Sequence, residues 1–328
     1  MRILRMSFFE KISNPMRKQV ISLLLFACAC TLMAQEIPVS DAAGLAAIAT
    51  QCATDGCQGK TYVLNADIDL SSVSPWTPIG TASQPFKGRL NGNGHTVKGL
   101  HLFAGTDGIG LFGHVAAAGR IDSLGVCGST IVAKNKRRIG ALAGVCAGQI
   151  NQCWSSAYMA AAGNAVGGLV GELTATGTIT DAYHSGLIYN ANDTIGGIAG
   201  INNGGTLRRV YNTGYAKNGK ALVGLDKNGQ YPDCFYDRKL YYQESGIVND
   251  QYTPVDVTED MFSLYTGSDA WWQDLDRYPI LSAFAGTDAA LLSAAPMYID
   301  ATGKDPVNHA NDLTEDFTLF VKKKTETL

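Results

Sequence analysis

The chain has 328 residues, enough for one to three domains and a sizeable buried core. Charged residues make up only 17% while glycine numbers 37, a balance that suits many short strands and tight turns and speaks against helix bundles. The formal net charge of −3 supplies no global positive field, so nucleic acid is not an expected partner.

Residues 1–34 read as an export signal. Arg17 and Lys18 form a basic stretch after Met16, an alternative initiator. The run from Val20 to Met33 is apolar except for Ser22 and Thr31, and Ala34 is small enough for signal peptidase. The run is shorter than the roughly 20 residues of a membrane span, so no transmembrane span is expected in the mature chain. Cleavage after Ala34 is the first reading. Leu25-Phe26-Ala27-Cys28 is a loose lipobox, so lipidation at Cys28 is the second. Either way the location is extracellular or on the outer-membrane surface.

The chain carries eight cysteines. Cys28 and Cys30 lie in the signal. Cys52 and Cys57 flank a short loop and read either as a local disulfide, which export permits, or as two free thiols. No Cys/His cluster has zinc spacing, and neither metal nor cofactor is expected. Residues 35–60 read as an N-terminal cap. Ser40 to Thr50 suits a short helix with Ser40 or Asp41 as its N-cap, placed to cover the first exposed strand edge of the repeats downstream.

Residues 61–240 are repetitive. Ile109-Gly110-Leu111-Phe112-Gly113, Ile139-Gly140-Ala141-Leu142-Ala143-Gly144, Val166-Gly167-Gly168-Leu169-Val170-Gly171, Ile195-Gly196-Gly197-Ile198-Ala199-Gly200 and the decayed Ala221-Leu222-Val223-Gly224 are copies of one motif. Each is followed by a second glycine, at 119, 148, 177, 205 and 229, spaced 29, 29, 28 and 24 residues apart. Two residues after these glycines stand Ile121, Ile150, Ile179, Leu207 and Tyr231; five residues after stand Leu124, Cys153, Ala182, Val210 and Cys234. A strand alternates faces with period two, so two inward columns three apart demand a corner between them. Coils of about 28 residues, each two or three short strands, cannot bury an apolar face alone but can when stacked. The shorter period argues against propeller blades, which run about 40–50 residues.

These segments resemble the GLUG repeat, with Gly168-Leu169-Val170-Gly171 as the best copy. Leu64 to Leu70, Trp76-Thr77-Pro78-Ile79-Gly80, Phe86-Lys87-Gly88 and Asn91 to Leu100 look like the strands that open such arrays. Trp271 and Tyr278-Pro279-Ile280-Leu281 look like the closing segment. The resemblance implies an all-β fold, a right-handed parallel β-helix (β-solenoid), on exported proteins of Bacteroidetes type with adhesin-like roles. Some such repeats accompany immunoglobulin A peptidases, but no His-Glu-x-x-His occurs here, so that activity is not carried over.

Residues 241–287, richer in charge and aromatics, read as a C-terminal cap, with a short helix from Thr258 to about Tyr265. Met297-Tyr298-Ile299 and Phe317 to Val321 read as two strands. Residues 288–328 are then either part of a further β module or a loosely docked tail.

Several residues invite chemistry. Gly108-Ile109-Gly110-Leu111-Phe112-Gly113 matches Gly-x-Gly-x-x-Gly, but its glycines belong to the repeat, and a dinucleotide site would need a helix after them. Six residues after the corner glycine stand Trp154, Tyr183, Tyr211 and Phe235, an outward aromatic ladder. Such a ladder either stacks coil on coil or offers a platform to sugar rings. Lys134, Lys136, Arg137 and Arg138 form a basic cluster between two repeats, expected to project as a loop that could contact an acidic glycan. Asp122 and Asp181 follow the corner glycine in the first and third coils, about 10 Å apart, slightly too far for glycoside hydrolysis. The expected function is a non-catalytic cell-surface or secreted binding protein, adhesin-like, whose partners are glycans or host surface macromolecules. A carbohydrate-active β-helix enzyme, lyase or hydrolase, is the second reading, and a passive spacer presenting a C-terminal module the third.

Overall fold

The computed structural model describes residues 36–102, 107–190, 194–237, 253–255, 264–273 and 278–293. The expected export signal with Cys28, and the two strands expected at Met297–Ile299 and Phe317–Val321, lie outside them. Among the described residues no helix is long and apolar enough to cross a membrane.

The chain enters through a strand, Glu36–Val39, and helix α1, Ala42–Asp55. Asp41 caps the helix by accepting a hydrogen bond from the Gly44 N–H at 2.7 Å. Gly56, in the left-handed region at φ 67°, stops it by donating its N–H to the Cys52 carbonyl. The helix therefore runs past Thr50, where it was expected to end. Leu45, Ile48 and Cys52 are its buried face and join the core that Tyr62 and Leu64 continue. Cys52 and Cys57 are joined in a disulfide, with Cα atoms 4.6 Å apart.

From residue 61 the chain winds as a three-faced parallel solenoid. The first face stacks Phe112–Val115, Ala143–Cys146, Val170–Thr174, Ala199–Asn203 and Val223–Asp226. The second face includes Thr61–Leu64, Arg89–Asn91, Arg120–Asp122, Gln149–Ser155, Thr178–His184, Thr206–Asn212 and Cys234–Asp237, and Thr253–Val255 extends it. The third includes His101–Leu102, Thr130–Gly140, Tyr158–Gly167, Leu187–Asn190 and Tyr215–Lys217. Thr61, Arg89, Arg120, Gln149, Thr178 and Thr206 occupy one position of six successive coils, spaced 28, 31, 29, 29 and 28 residues apart.

Register explains why the columns are apolar. Ile121, Ile150, Ile179 and Leu207 lie side by side on the second face, as do Cys153, Ala182, Val210 and Cys234, and all are buried. Like side chains stack at the strand spacing of about 4.8 Å, and the core continues from coil to coil. Both columns belong to the same face. Between them stands one left-handed residue per coil, Ser123, Gln152, Asp181, Arg209 and Asp233, at φ 48–58°. The expected corner is thus a one-residue kink that turns the strand over without leaving the sheet.

The repeat glycine that ends each copy answers a different need. A Cβ on Gly171 would stand 2.2 Å from the carbonyl carbon of Arg138, where the third face turns toward the first. Gly200 meets Ala165 in the same way one coil later. No larger residue fits where two backbones approach this closely. The residues after Gly108-Ile109-Gly110-Leu111-Phe112-Gly113 continue the strand Phe112–Val115, not the helix that a dinucleotide site requires.

The C-terminal segments lie against the side of the second face. Trp271–Trp272 pairs antiparallel with Ile280–Leu281, a 3-10 turn follows at Ser282–Phe284, and helix α2 spans Asp288–Ser293. Leu264, Trp271, Tyr278, Ile280, Leu281, Phe284 and Ala290 form a second buried cluster with Trp154, Tyr183 and Tyr211. Of the helix expected from Thr258 to Tyr265, only Leu264 and Tyr265 are described, and they lie in a turn.

Candidate functional site

The aromatic ladder is real and closed. Trp154 stacks on Tyr183 at 5.7 Å between centroids and 4° between planes, and Tyr183 on Tyr211 at 4.9 Å and 3°. Register places each ring above the next, and Gly125 below Trp154 leaves the indole room. The rings do point away from the solenoid core, as their column requires. Yet Trp154, Tyr183 and Tyr211 are fully buried, because the C-terminal segments cover them. Phe284 meets Trp154 edge-on, and Trp271 leans on Tyr183 and Tyr211. The Tyr211 hydroxyl donates to the Pro279 carbonyl at 2.6 Å. Only Phe235 is half-exposed, and it meets Tyr265. A sugar platform needs open ring faces, so the platform reading of Trp154, Tyr183 and Tyr211 is corrected to packing.

The basic cluster is also not the loop expected. Lys134 to Arg138 lie within the strand Thr130–Gly140, paired in parallel with Tyr158–Gly167. Lys134 faces Ala162 and Arg137 faces Asn164, so one extra residue is absorbed between them as a bulge. A bulge lets a lengthened segment stay in the sheet while re-aiming its side chains. The side chains of Lys134 and Lys136 lie outside the described residues.

Arg137 and Arg138 open onto a groove of about 500 Å³ at the junction of the third and first faces. Asn164, Ala165, Glu172, Thr194, Ile201 and Lys227 line the rest of it. Arg138 is left-handed, at φ 60°, and its guanidinium donates to the Glu172 carboxylate at 2.5 Å. That pair ties the end of one third-face strand to a first-face strand further along the stack. Sequence reasoning found two of these residues and missed Asn164, Glu172, Thr194 and Lys227. They come from later coils, and only the stacking register unites them.

The carboxylates that sequence spacing offered for catalysis are occupied. Asp122, 3% exposed, is clamped at 2.7 Å by both Arg89 and Arg120. Asp181, also 3% exposed, accepts from Arg209 Nε at 2.5 Å, from its terminal nitrogen at 2.6 Å and from the Trp271 indole at 2.8 Å. The two do not share a column. Asp122 pairs with Asn151 and Asn151 with Thr180, so Asp181 stands one position further, on the left-handed kink. At the array opening, Asp67 accepts the Thr96 N–H, and Asp69 accepts the Ser71 N–H beside Lys98.

No family model matches the chain. It is 34% identical over 147 residues to halomucin of Haloquadratum walsbyi, which is 42% of this chain and 2% of halomucin. It is 36% identical over 95 residues to a protein of Evansella cellulosilytica described as a Gly-rich membrane protein, 26% of this chain and 11% of that protein. The chain thus spans a small fraction of these curated relatives. Among solved structures it resembles a candidate immunoglobulin A1 protease from Bacteroides ovatus, with TM-score 0.53 and 16% identity over 76% of this chain and 93% of the other. At that identity the likeness shows the fold alone.

Proposed function

We propose that this chain is an exported, non-catalytic binding protein of the cell surface, adhesin-like, whose partners are glycans or glycan-bearing surface macromolecules. One observation carries the reading. Among the described residues, the groove beside Arg137 and Arg138 sets hydrogen-bond donors and cations around an apolar floor, with its one carboxylate engaged by arginine. Such a lining recognises; it does not provide the acid and base that bond cleavage asks for. Arginines hold Asp122 and Asp181 in the same way, so these carboxylates serve the fold. The GLUG-like repeat supports an exported solenoid of Bacteroidetes type. So do relatives whose names speak of a mucin and of a membrane protein. Export through residues 1–34, with cleavage after Ala34 rather than lipidation at Cys28, belongs to the same reading.

The test is a glycan and mucin binding screen run beside a reducing-end release assay on the same polysaccharides. The expected result is saturable binding with no new reducing ends. Catalytic release of sugar ends would overturn the reading and favour a carbohydrate-active enzyme.

A further inference from the structure

Resting on that reading, we infer that the groove at the junction of the third and first faces accepts the oxyanion of an acidic saccharide, a carboxylate or a sulfate. Among the described residues of its lining, three cations, Arg137, Arg138 and Lys227, face one carboxylate, Glu172. Arg138 and Glu172 neutralise each other at 2.5 Å. Arg137 and Lys227 are exposed, and among the described residues neither has a carboxylate within ion-pair distance. Among the described lining residues cations thus outnumber carboxylates by two, with the Asp107 carboxylate behind them accepting the Arg137 N–H at 3.2 Å, on a chain whose net charge is −3. The local sign opposes the global one, so the patch is not a by-product of a basic protein. A concave site focuses such a field on a small anion.

The lining fits a sugar as well as a charge. Ala165 and Ile201 supply apolar surface, and Asn164 and Thr194 supply an amide and a hydroxyl. Small-ligand sites combine an apolar floor with a few polar groups in volumes of about 300–1,000 Å³, and this groove holds about 500 Å³. A guanidinium takes a carboxylate or sulfate through two parallel N–H donors, and an ammonium adds a point charge.

The position is built by the fold. The bulge before Arg137 and the left-handed backbone of Arg138 set the arginines at the corner. Gly171 and Gly200 let that corner sink against the first face, which makes the junction concave. The Arg138–Glu172 pair fixes one wall. Lys227 arrives from the turn after Val223–Asp226, so the site exists only when the coils are stacked in register.

The test titrates the full chain with polygalacturonate, with chondroitin sulfate and with neutral dextran, at low and at physiological salt. The comparison protein combines Arg137→Gln with Lys227→Gln. Both side chains are exposed, so its unfolding midpoint should match the parent's. The expected result is binding of one or both acidic polymers, weakened by salt, and at least a tenfold loss of affinity in the double variant. Comparison of the two acidic polymers tells carboxylate from sulfate. Acidic polymers bound equally by parent and variant would overturn this site while leaving the binding reading intact. Binding of dextran as tight as that of the acidic polymers would do the same. No binding of any polymer, together with release of reducing ends, would overturn both.

Discussion

His184 shows how much a single buried residue can govern. It lies fully buried in an inward column between Ser155 and Asn212, its ring filling the space that the missing side chain of Gly168 leaves. Among the described residues no hydrogen bond of ordinary geometry reaches either ring nitrogen. Burial, which strips water from the charged form, pushes the imidazole down to about 3, while the backbone of Ser155 and Gly186 acts upward. The folded pKa is below the unfolded one, so the unfolded chain takes up the proton first as pH falls. His184 therefore contributes full stability above about pH 6.5 and loses it between about 6.5 and 3, at up to about 1.4 kcal/mol per pH unit. Urea unfolding of the parent and of His184→Gln across that window checks the sign. The variant is expected to have the flatter profile, and parallel profiles would contradict it.

At the scale of elements, the ladder and the coil it belongs to depend on each other. Trp154, Tyr183 and Tyr211 join the second face to the C-terminal segments, with Trp271 and Asp181 adding a polar tie across them. Truncating the middle ring leaves a cavity that neither stack nor cover can close. Tyr183→Ala is expected to cost about 3–5 kcal/mol, the usual loss for a large buried aromatic. Denaturant unfolding measures this, and the acidic-polymer affinity should stay unchanged. A variant of parental stability that has lost ligand would restore the platform reading.

The coils were legible in the sequence for a physical reason: the same inward positions recur in every coil, and Ile121, Ile150 and Ile179 repeat the signal. The cover over the ladder was not legible, because Trp271 meets Asp181 across 90 residues and no period announces such a contact. The groove was half legible. Arg137 and Arg138 stand out as a charge run, but a one-residue bulge keeps them in a strand instead of a loop. Asp122 stands three residues after Gly119 but Asp181 stands four after Gly177, so the two fall in neighbouring columns rather than one.

At the scale of the whole molecule, one solenoid carries two contrasting surfaces. The second face is closed by aromatic packing, and the junction of the third and first faces is open, concave and cationic. Stacked coils make a rigid support, so recognition needs no large rearrangement of the backbone. The measurement that tests this division most directly is hydroxyl-radical footprinting of the full chain, free and saturated with the acidic polymer it binds best. Protection is expected around Asn164 to Glu172, Thr194 to Ile201 and Lys227, with Trp154, Tyr183 and Tyr211 unreactive in both states. Rings that react in the free chain and become protected on binding, beside an unchanged groove, would contradict it.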